Sequence, residues 1–134
     1  MFQIKGNYSW MLLNKCIIRH KNVDIVKCVD IRPPMWPLFF QAENVFFRSC
    51  DGNHIYYWLN TIKFPNIQYI YIDSVFEGEV YNRFSQNVNI YGTEDAVRTR
   101  PYLKIKDNKI NVGNRYITVI TKNHMDAMIK NNSE

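Results

Sequence analysis

The stretch Leu59–Ser74, LNTIKFPNIQYIYIDS, decides the fold class. Leu59 and Ile62 have the spacing of a helix, and the Phe64-Pro65 step ends it. From Ile67 onward the residues are mostly β-branched or aromatic, as in a strand. The stretch therefore predicts a helix that leads directly into a strand. It is either a single junction in a compact domain or one unit of a repeat.

Two other segments share the strand half of this pattern. NVFFRS at 44–49 and NVNIYGT at 87–93 each place two apolar residues two positions apart. Val45, Ile70 and Val88 are separated by 25 and then 18 residues, with a segment of helical spacing in each gap. Strand–helix units of this size are typical of leucine-rich repeats, and the opening stretch matches much of that motif. Because only one unit matches well, the sequence favours a compact α/β domain over a solenoid.

Helices are predicted where apolar residues recur at intervals of three and four. The segments with this spacing are 9–20, 53–64 and 75–86. The segment 23–31 is rich in β-branched residues and is predicted to be a strand. Strands and helices therefore alternate through the first two thirds of the chain.

The C-terminal third has a different pattern. From Tyr102 to Lys122 apolar and polar residues alternate, with turns at Asp107-Asn108 and Gly113-Asn114, which predicts an antiparallel meander of three strands. HMDAMIKNN at 124–132 predicts a short terminal helix. The predicted fold is mixed α/β: a small, partly parallel sheet from two or three strand–helix units, then a C-terminal antiparallel meander and a short terminal helix. A chain of 134 residues fits a single domain, 1–134.

The composition points to a folded protein from an AT-rich genome. Apolar residues make up 46% and aromatic residues 15%, which excludes intrinsic disorder. Sixteen Ile, sixteen Asn and ten Lys have AT-rich codons, as in a large DNA virus, a protist parasite or an AT-rich bacterium. Three cysteines with no CxxC pair predict a reducing compartment. No run reaches the roughly 18 apolar residues of a membrane span, so no membrane partner is expected.

No local catalytic or cofactor motif is present in the sequence. GxGxxG, GxxxxGK[ST], HExxH and GxSxG are all absent. Cys50, Asp51 and His54 form the densest polar cluster, which could supply a nucleophile–base pair or metal ligands. The same segment has residue types that are common in turns and helix caps, and that interpretation is favoured. We predict no enzymatic activity, no catalytic residues, no metal and no cofactor.

A basic segment, RTRPYLKIK at 98–106, is the candidate nucleic-acid contact. It occurs in a chain of net charge +5 and pI about 9.1. Basic residues could bind phosphates while a tyrosine stacks on a base. The alternative, which is favoured, places the lysines on the solvent face of an edge strand, where they oppose aggregation. The candidate contacts are Arg98, Arg100, Tyr102, Lys104 and Lys106.

Aromatic residues around the opening stretch are the candidate protein interface. Amphipathic aromatic side chains are enriched at interfaces. The alternative is that most of these rings belong to the core. The candidate residues are Tyr56, Tyr57, Trp58, Tyr69 and Tyr71.

The phrases FPNIQYIYIDS, EVYNRF and NVNIY, which lie within residues 59–91, resemble small uncharacterised proteins of Mimivirus-like giant viruses. The resemblance implies a virally encoded protein located in the host cytoplasm or the virion, and it supplies no catalytic residues. The predicted function is therefore a non-enzymatic protein-interaction or virion-associated role, with a protein partner or self-association. The alternative function is that of a basic nucleic-acid-associated protein.

Overall fold

The computed structural model describes residues 1–5, 17–27, 38–50, 62–74 and 78–132. Ten strands and three helices lie within these ranges. The strands are β1 Phe2–Lys5, β2 Ile17–Ile18, β3 Asn22–Val26, β4 Leu38–Phe40, β5 Asn44–Arg48, β6 Ile62–Lys63, β7 Tyr69–Ile72, β8 Asn89–Thr93, β9 Lys109–Val112 and β10 Arg115–Ile120. The helices are α1 Gly78–Tyr81, α2 Glu94–Arg98 and α3 Lys122–Asn131.

The strands form two sheets. A seven-stranded sheet has the order β1-β3-β5-β7-β8-β10-β9, and a three-stranded sheet has the order β2-β4-β6. Neighbouring strands are parallel in both sheets, except that β9 is antiparallel to β10. The mixed α/β class and the partly parallel sheet are therefore confirmed.

The parallel strands of the large sheet stack in register. Val23, Val45, Ile70 and Ile90 are successive partners, and all are buried. From the small sheet, Ile18 and Phe40 enter the same hydrophobic cluster. The core therefore lies between the two sheets, and the large sheet also has an outer face that points away from this core.

The turns from the small sheet into the large one repeat the same local geometry. The backbone N–H groups of Glu43 and Asn44 both donate to the carbonyl of Lys21, at 2.9 and 3.2 Å. One segment later, those of Gln68 and Tyr69 both donate to the carbonyl of Glu43, at 2.9 and 3.0 Å. Successive segments thus stack despite unequal spacing. The leucine-rich-repeat assignment of residues 59–74 stays a prediction.

Two helix predictions need correction at their C-terminal ends. Ile17–Ile18, inside the predicted helix 9–20, is strand β2, and Ile62–Lys63, inside the predicted helix 53–64, is strand β6. The parallel pairing of both with β4 overrides a helical spacing that is too short to be decisive. Residues 6–16 and 51–61 lie outside the described residues.

The strands predicted in the first two thirds of the chain are confirmed where the structure describes them. The segment 44–49 contains β5, 67–74 contains β7 and 87–93 contains β8, as predicted. The strand predicted over 23–31 is observed as β3, and residues 28–31 lie outside the described ranges. The third predicted helix, 75–86, is confirmed only in part: α1 spans Gly78–Tyr81, residues 82–86 are not helical, and residues 75–77 lie outside the described residues. A Cβ on Gly78 would lie 3.1 Å from the Cα of Gly113, so the glycine permits α1 to approach the β9–β10 turn.

The C-terminal meander is confirmed only in part. Strands β9 and β10 form the predicted hairpin, and the tight turn at Asp107-Asn108 is present, with both residues at positive φ. The strand predicted around Leu103 and Ile105 is wrong, since pairing there is limited to a bridge between Lys106 and Lys109. On its other side, strand β10 pairs in parallel with β8 and so joins the large sheet. Helix α2 has no counterpart among the predicted elements.

The predicted terminal helix is confirmed as α3. It begins after Thr121, whose Oγ1 accepts a hydrogen bond from the His124 N–H at 3.1 Å and so caps the helix. Among the described residues, no helix has the length and apolar content needed to cross a bilayer.

Candidate functional site

A row of stacked aromatic rings crosses the outer face of the large sheet. Phe46, Tyr71 and Tyr91 are consecutive ladder partners on β5, β7 and β8. The ring centroids of Phe46 and Tyr71 are 4.6 Å apart, and those of Tyr71 and Tyr91 are 5.0 Å apart, with nearly parallel planes. Since parallel strands in register place like positions side by side, this aromatic row follows directly from the register. The three rings form one rigid strip.

The row continues into an open tyrosine patch, which we define as Tyr69, Tyr91 and Tyr116. The rings of Tyr69 and Tyr91 are 6.3 Å apart and both are half-buried. Thr118 pairs with Tyr91, so Tyr116, two residues earlier on β10, lies on the same face. Its side chain is 70% exposed. This half of the outer face is therefore open to solvent.

Polar residues lie beside Tyr116 at one end of the tyrosine patch. An open depression of about 300 Å³ at this end of the sheet is lined in part by Asn89, Lys109, Tyr116 and Thr118. Asn89 and Lys109 are exposed. Aromatic rings with a rim of amide and amine groups have the composition of a protein-binding surface.

Helix α3 covers the other half of the outer face. Met125 is 1% exposed and belongs to one buried cluster with Phe46, Tyr71 and Ile120. Partly buried side chains of α3 pack against the same cluster, among them Ile129. The outer face therefore has a covered half, under α3, and an open half at the tyrosine patch.

A buried ion pair lies on the outer face next to Phe46. The Asp24 side chain is 1% exposed, and its Oδ1 accepts a hydrogen bond from the Arg48 Nε at 2.9 Å. Gln3 Nε2 donates to Asp24 Oδ2 at 2.9 Å. The hydrogen bond to Asp24 raises the pKa of Arg48 against the opposing effect of burial, and Asp126 on α3 adds a smaller effect in the same direction. Removing Arg48 alone would leave the Asp24 carboxylate buried without its cation.

Burial raises the pKa of Tyr71 to about 12, with smaller contributions from Tyr91 and Tyr69. The pKa of an unperturbed tyrosine is 10.0. Since the folded-state value is the higher one, folding favours the neutral phenol. This stabilisation is complete below pH 10 and is lost as the pH rises through 12.

We therefore expect Tyr71 to ionise late, and the free energy of unfolding to fall between about pH 10 and pH 12. An absorbance titration at 295 nm, together with urea unfolding at each pH, measures both. Tyr71→Phe removes the late phase and reduces the loss of stability. A Tyr71→Phe protein that keeps the late phase would contradict the assignment.

Of the five residues of the predicted protein interface, the structure describes Tyr69 and Tyr71, and these two differ in exposure. Tyr69 is half-buried in the tyrosine patch, while Tyr71 is 4% exposed beneath α3. Tyr56, Tyr57 and Trp58 lie outside the described residues. The two described candidates are thus brought together, although Tyr71 is covered.

The predicted nucleic-acid segment lies on α2 and the turns that follow it. Arg98 forms an exposed ion pair with Glu94. Tyr102 is 67% exposed, and Lys104 and Lys106 are exposed as well. Arg100 is half-buried. Arg98 ends α2, and Arg100, Tyr102 and Lys104 lie in an irregular segment instead of the edge strand that the alternation predicted.

The Cys50 cluster has little chemical support. Cys50 is buried, and its Sγ lies 3.4 Å from the carbonyl oxygen of Ile25. Asp51 and His54 lie outside the described residues. Within the described ranges no three His, Cys, Asp or Glu side chains converge as metal ligands would.

A polar groove of about 580 Å³ follows the turns between the two sheets. Glu43 lies at its centre, with Lys21 Nζ 3.6 Å from its Oε2 and Gln68 Nε2 3.3 Å from its Oε1. The lysine is largely exposed, so the ion pair contributes little to stability. Among the described residues, its lining contains no aromatic side chain, and the groove is a weaker binding candidate than the outer face.

Sequence reasoning missed Tyr91, Tyr116 and Met125 as parts of the site. A signal existed for Tyr91, because it takes the place in NVNIYGT that Tyr71 takes in IQYIYIDS. No local signal marked Met125, whose role depends on where α3 docks.

More than half of the chain matches a protein family. The sequence pattern of a family of unknown function, DUF5845, matches residues 23–94, more than half of the chain. The chain belongs to this family. The matched residues begin in β3 and end at the start of α2, and so include the whole aromatic row.

A mimivirus protein is also similar. Uncharacterized protein R849 of Acanthamoeba polyphaga mimivirus is 31% identical over 70 residues, which are 52% of this chain and 49% of that protein. The chain therefore spans about half the length of this curated relative. The resemblance to mimivirus proteins is confirmed. No solved structure matches the chain.

Proposed function

We propose that this protein is a non-enzymatic protein-binding module that engages its partner through the tyrosine patch. The observation that carries the proposal is the stack of Phe46, Tyr71 and Tyr91. On the neighbouring strand β10, Tyr116 lies on the same face and is 70% exposed. The similarity to a mimivirus protein supports a viral origin, with action in the host cytoplasm or the virion. The partner is another protein or a second copy of the chain.

The rigidity of the sheet supports this role. Tyr69, Tyr91 and Tyr116 are held on adjacent strands, and two of the rings are in contact with each other. Tyrosine offers a large amphipathic contact area and loses little conformational entropy when it binds. Because paired strands hold the backbone of all three residues, association costs less ordering than it would on a loop.

The matched pair Tyr116→Ser and Tyr102→Ser tests this proposal. The two tyrosines are 70% and 67% exposed, but only Tyr116 is in the tyrosine patch. In affinity capture from the native source, quantified by mass spectrometry, we expect Tyr116→Ser to reduce recovery of the main partner about tenfold. Tyr102→Ser should leave recovery unchanged.

Nucleic-acid binding through residues 98–106 is the alternative, and the exposure of Tyr102 and Lys104 supports it. The same pair of variants decides between the two. If Tyr102→Ser removes a captured nucleic acid and Tyr116→Ser removes nothing, the tyrosine patch is not the binding surface.

A further inference from the structure

We infer that the covered half of the outer face is also part of the binding surface, and that its occupant is an amphipathic helix of the partner that replaces α3. The inference rests on the proposed function. It identifies the partner by its chemistry: a helix with large, flexible apolar side chains at positions i, i+3 and i+4.

The helix seated there in this chain has that pattern. Met125, Met128 and Ile129 are spaced by three and four, so they lie on one face of α3. All three join the cluster that contains Phe46 and Tyr71. The sheet thus already binds a helix with methionine anchors, and α3 shows what a partner helix must present.

Helix α3 is held lightly compared with the strands beneath it. Of its ten residues Met125 alone is buried, and Met128 and Ile129 are half-buried. At its C-terminal end, Asn22 Nδ2 donates to the carbonyl of Asn132 at 3.2 Å. Segments with few buried contacts open locally without global unfolding.

The face under α3 does not depend on α3 for its shape. Phe46 and Tyr71 are fixed by pairing between β5 and β7, and Tyr71 contacts Tyr91 of the tyrosine patch, with ring centroids 5.0 Å apart. The covered and open halves are therefore one continuous surface. A partner helix over Phe46 would extend onto the tyrosine patch and bury both.

Charge favours the same arrangement. Arg48 lies on the outer face, and Asp126 of α3 is close enough to stabilise its charged form. Asp126 directly follows the anchor Met125. A partner helix with an acidic residue after its first apolar anchor would place a negative charge on the same side of Arg48.

A labelled peptide of residues 121–134 is the probe. It is titrated into the full-length wild type and into full-length Met125→Lys, in which the tethered α3 no longer competes. We expect the peptide to bind Met125→Lys at least about tenfold more tightly than the wild type, because the tethered helix has a high effective concentration. The same peptide carrying Met125→Lys is the matched control and should not bind.

Hydrogen exchange on the wild type keeps the test decisive if Met125→Lys does not fold. The amides of α3 should exchange at least about tenfold faster than those of β5 and β7. Equal exchange rates, or equal peptide affinity for both proteins, would overturn the inference. A wild-type dimer that Met125→Lys dissociates would also overturn it, because the occupant would then be the helix of a second copy.

The peptide-binding result can be distinguished from success or failure of the proposed function. Tyr116→Ser leaves the cluster under α3 intact, so it should not change peptide binding. If capture does not respond to Tyr116→Ser while the peptide still binds Met125→Lys, the tyrosine patch fails and the covered surface stands. If Tyr116→Ser does reduce capture but the peptide does not bind Met125→Lys, the tyrosine patch stands and only the role of the partner helix is removed.

Discussion

Replacing Arg115 by Met is expected to lower the free energy of unfolding by about 3–5 kcal/mol. Arg115 is 7% exposed, and its two terminal nitrogens donate to four backbone carbonyls within 81–88. The distances run from 2.6 Å, to Val88, to 3.2 Å, to Tyr81. Without the guanidinium these carbonyls lose a charged donor where water cannot easily replace it.

The structure explains why an arginine is required at this position. Its side chain joins the turns after α1 to β10, and so fixes the segment that leads into β8. Burial lowers the pKa of Arg115, as it does for a cation taken out of water. A single ammonium group cannot reproduce the fork that reaches these carbonyls, so Arg115→Lys should also destabilise.

Urea unfolding measures the effect of Arg115→Met, provided that the wild type and the variant show the same dependence of the free energy of unfolding on urea concentration. Arg98→Met is the control, because Arg98 is exposed and its ion pair with Glu94 spans one helical turn. Pairs of this kind contribute about 0.3–0.5 kcal/mol. An Arg115→Met protein no less stable than the Arg98→Met control would contradict the role assigned to the buried guanidinium.

Phe46→Ala is expected to cost about 3–5 kcal/mol, because it removes a fully buried ring and leaves a cavity. Phe46 is 0% exposed and is stacked on Tyr71, and it belongs to the cluster that contains Met125. Its loss removes packing from β5, from the aromatic row and from the underside of α3. Thermal or urea unfolding measures the cost.

Phe39→Ala is the matched control for this prediction. Phe39 lies on β4 of the small sheet and is 41% exposed. The same truncation there should cost less than about 1 kcal/mol, as is usual for surface positions. Equal losses for the two variants would mean that α3 does not seal the outer face over Phe46.

The strands of the large sheet could be predicted because their signals are local. Val45 and Phe47, and then Ile70 and Ile72, alternate with residues of the other face and are β-branched or aromatic. Their stacking in register could not be predicted in the same way. It depends on pairing between residues 20 and 25 positions apart, and the unequal spacing of Val45, Ile70 and Val88 concealed it.

The helix predictions failed at Ile17 and Ile62 because spacing over a few residues does not separate a helix from a strand. Both residues belong to two-residue strands whose partners lie on β4. Short strands carry too few residues to show alternation. Their conformation is decided by the neighbouring segment, which local sequence does not contain.

The candidate site also combines residues that could be predicted with residues that could not. Tyr69 and Tyr71 were recognisable as an aromatic pair, but the burial of Tyr71 requires α3, which follows it by about 50 residues. Arg115 has the appearance of an ordinary strand residue, because its partners are backbone carbonyls that no side-chain pattern reveals. Tertiary placement therefore decided which candidates became part of the site.

Site-specific photo-crosslinking tests the central claim most directly. A benzophenone amino acid replaces Tyr116 in one protein and Tyr102 in another, and both are irradiated in the native source. Because the two positions are 70% and 67% exposed, access to solvent is matched. The tyrosine patch as binding surface predicts a discrete protein adduct at position 116 and none at 102. An adduct at 102 alone, or no adduct at either position, would contradict it.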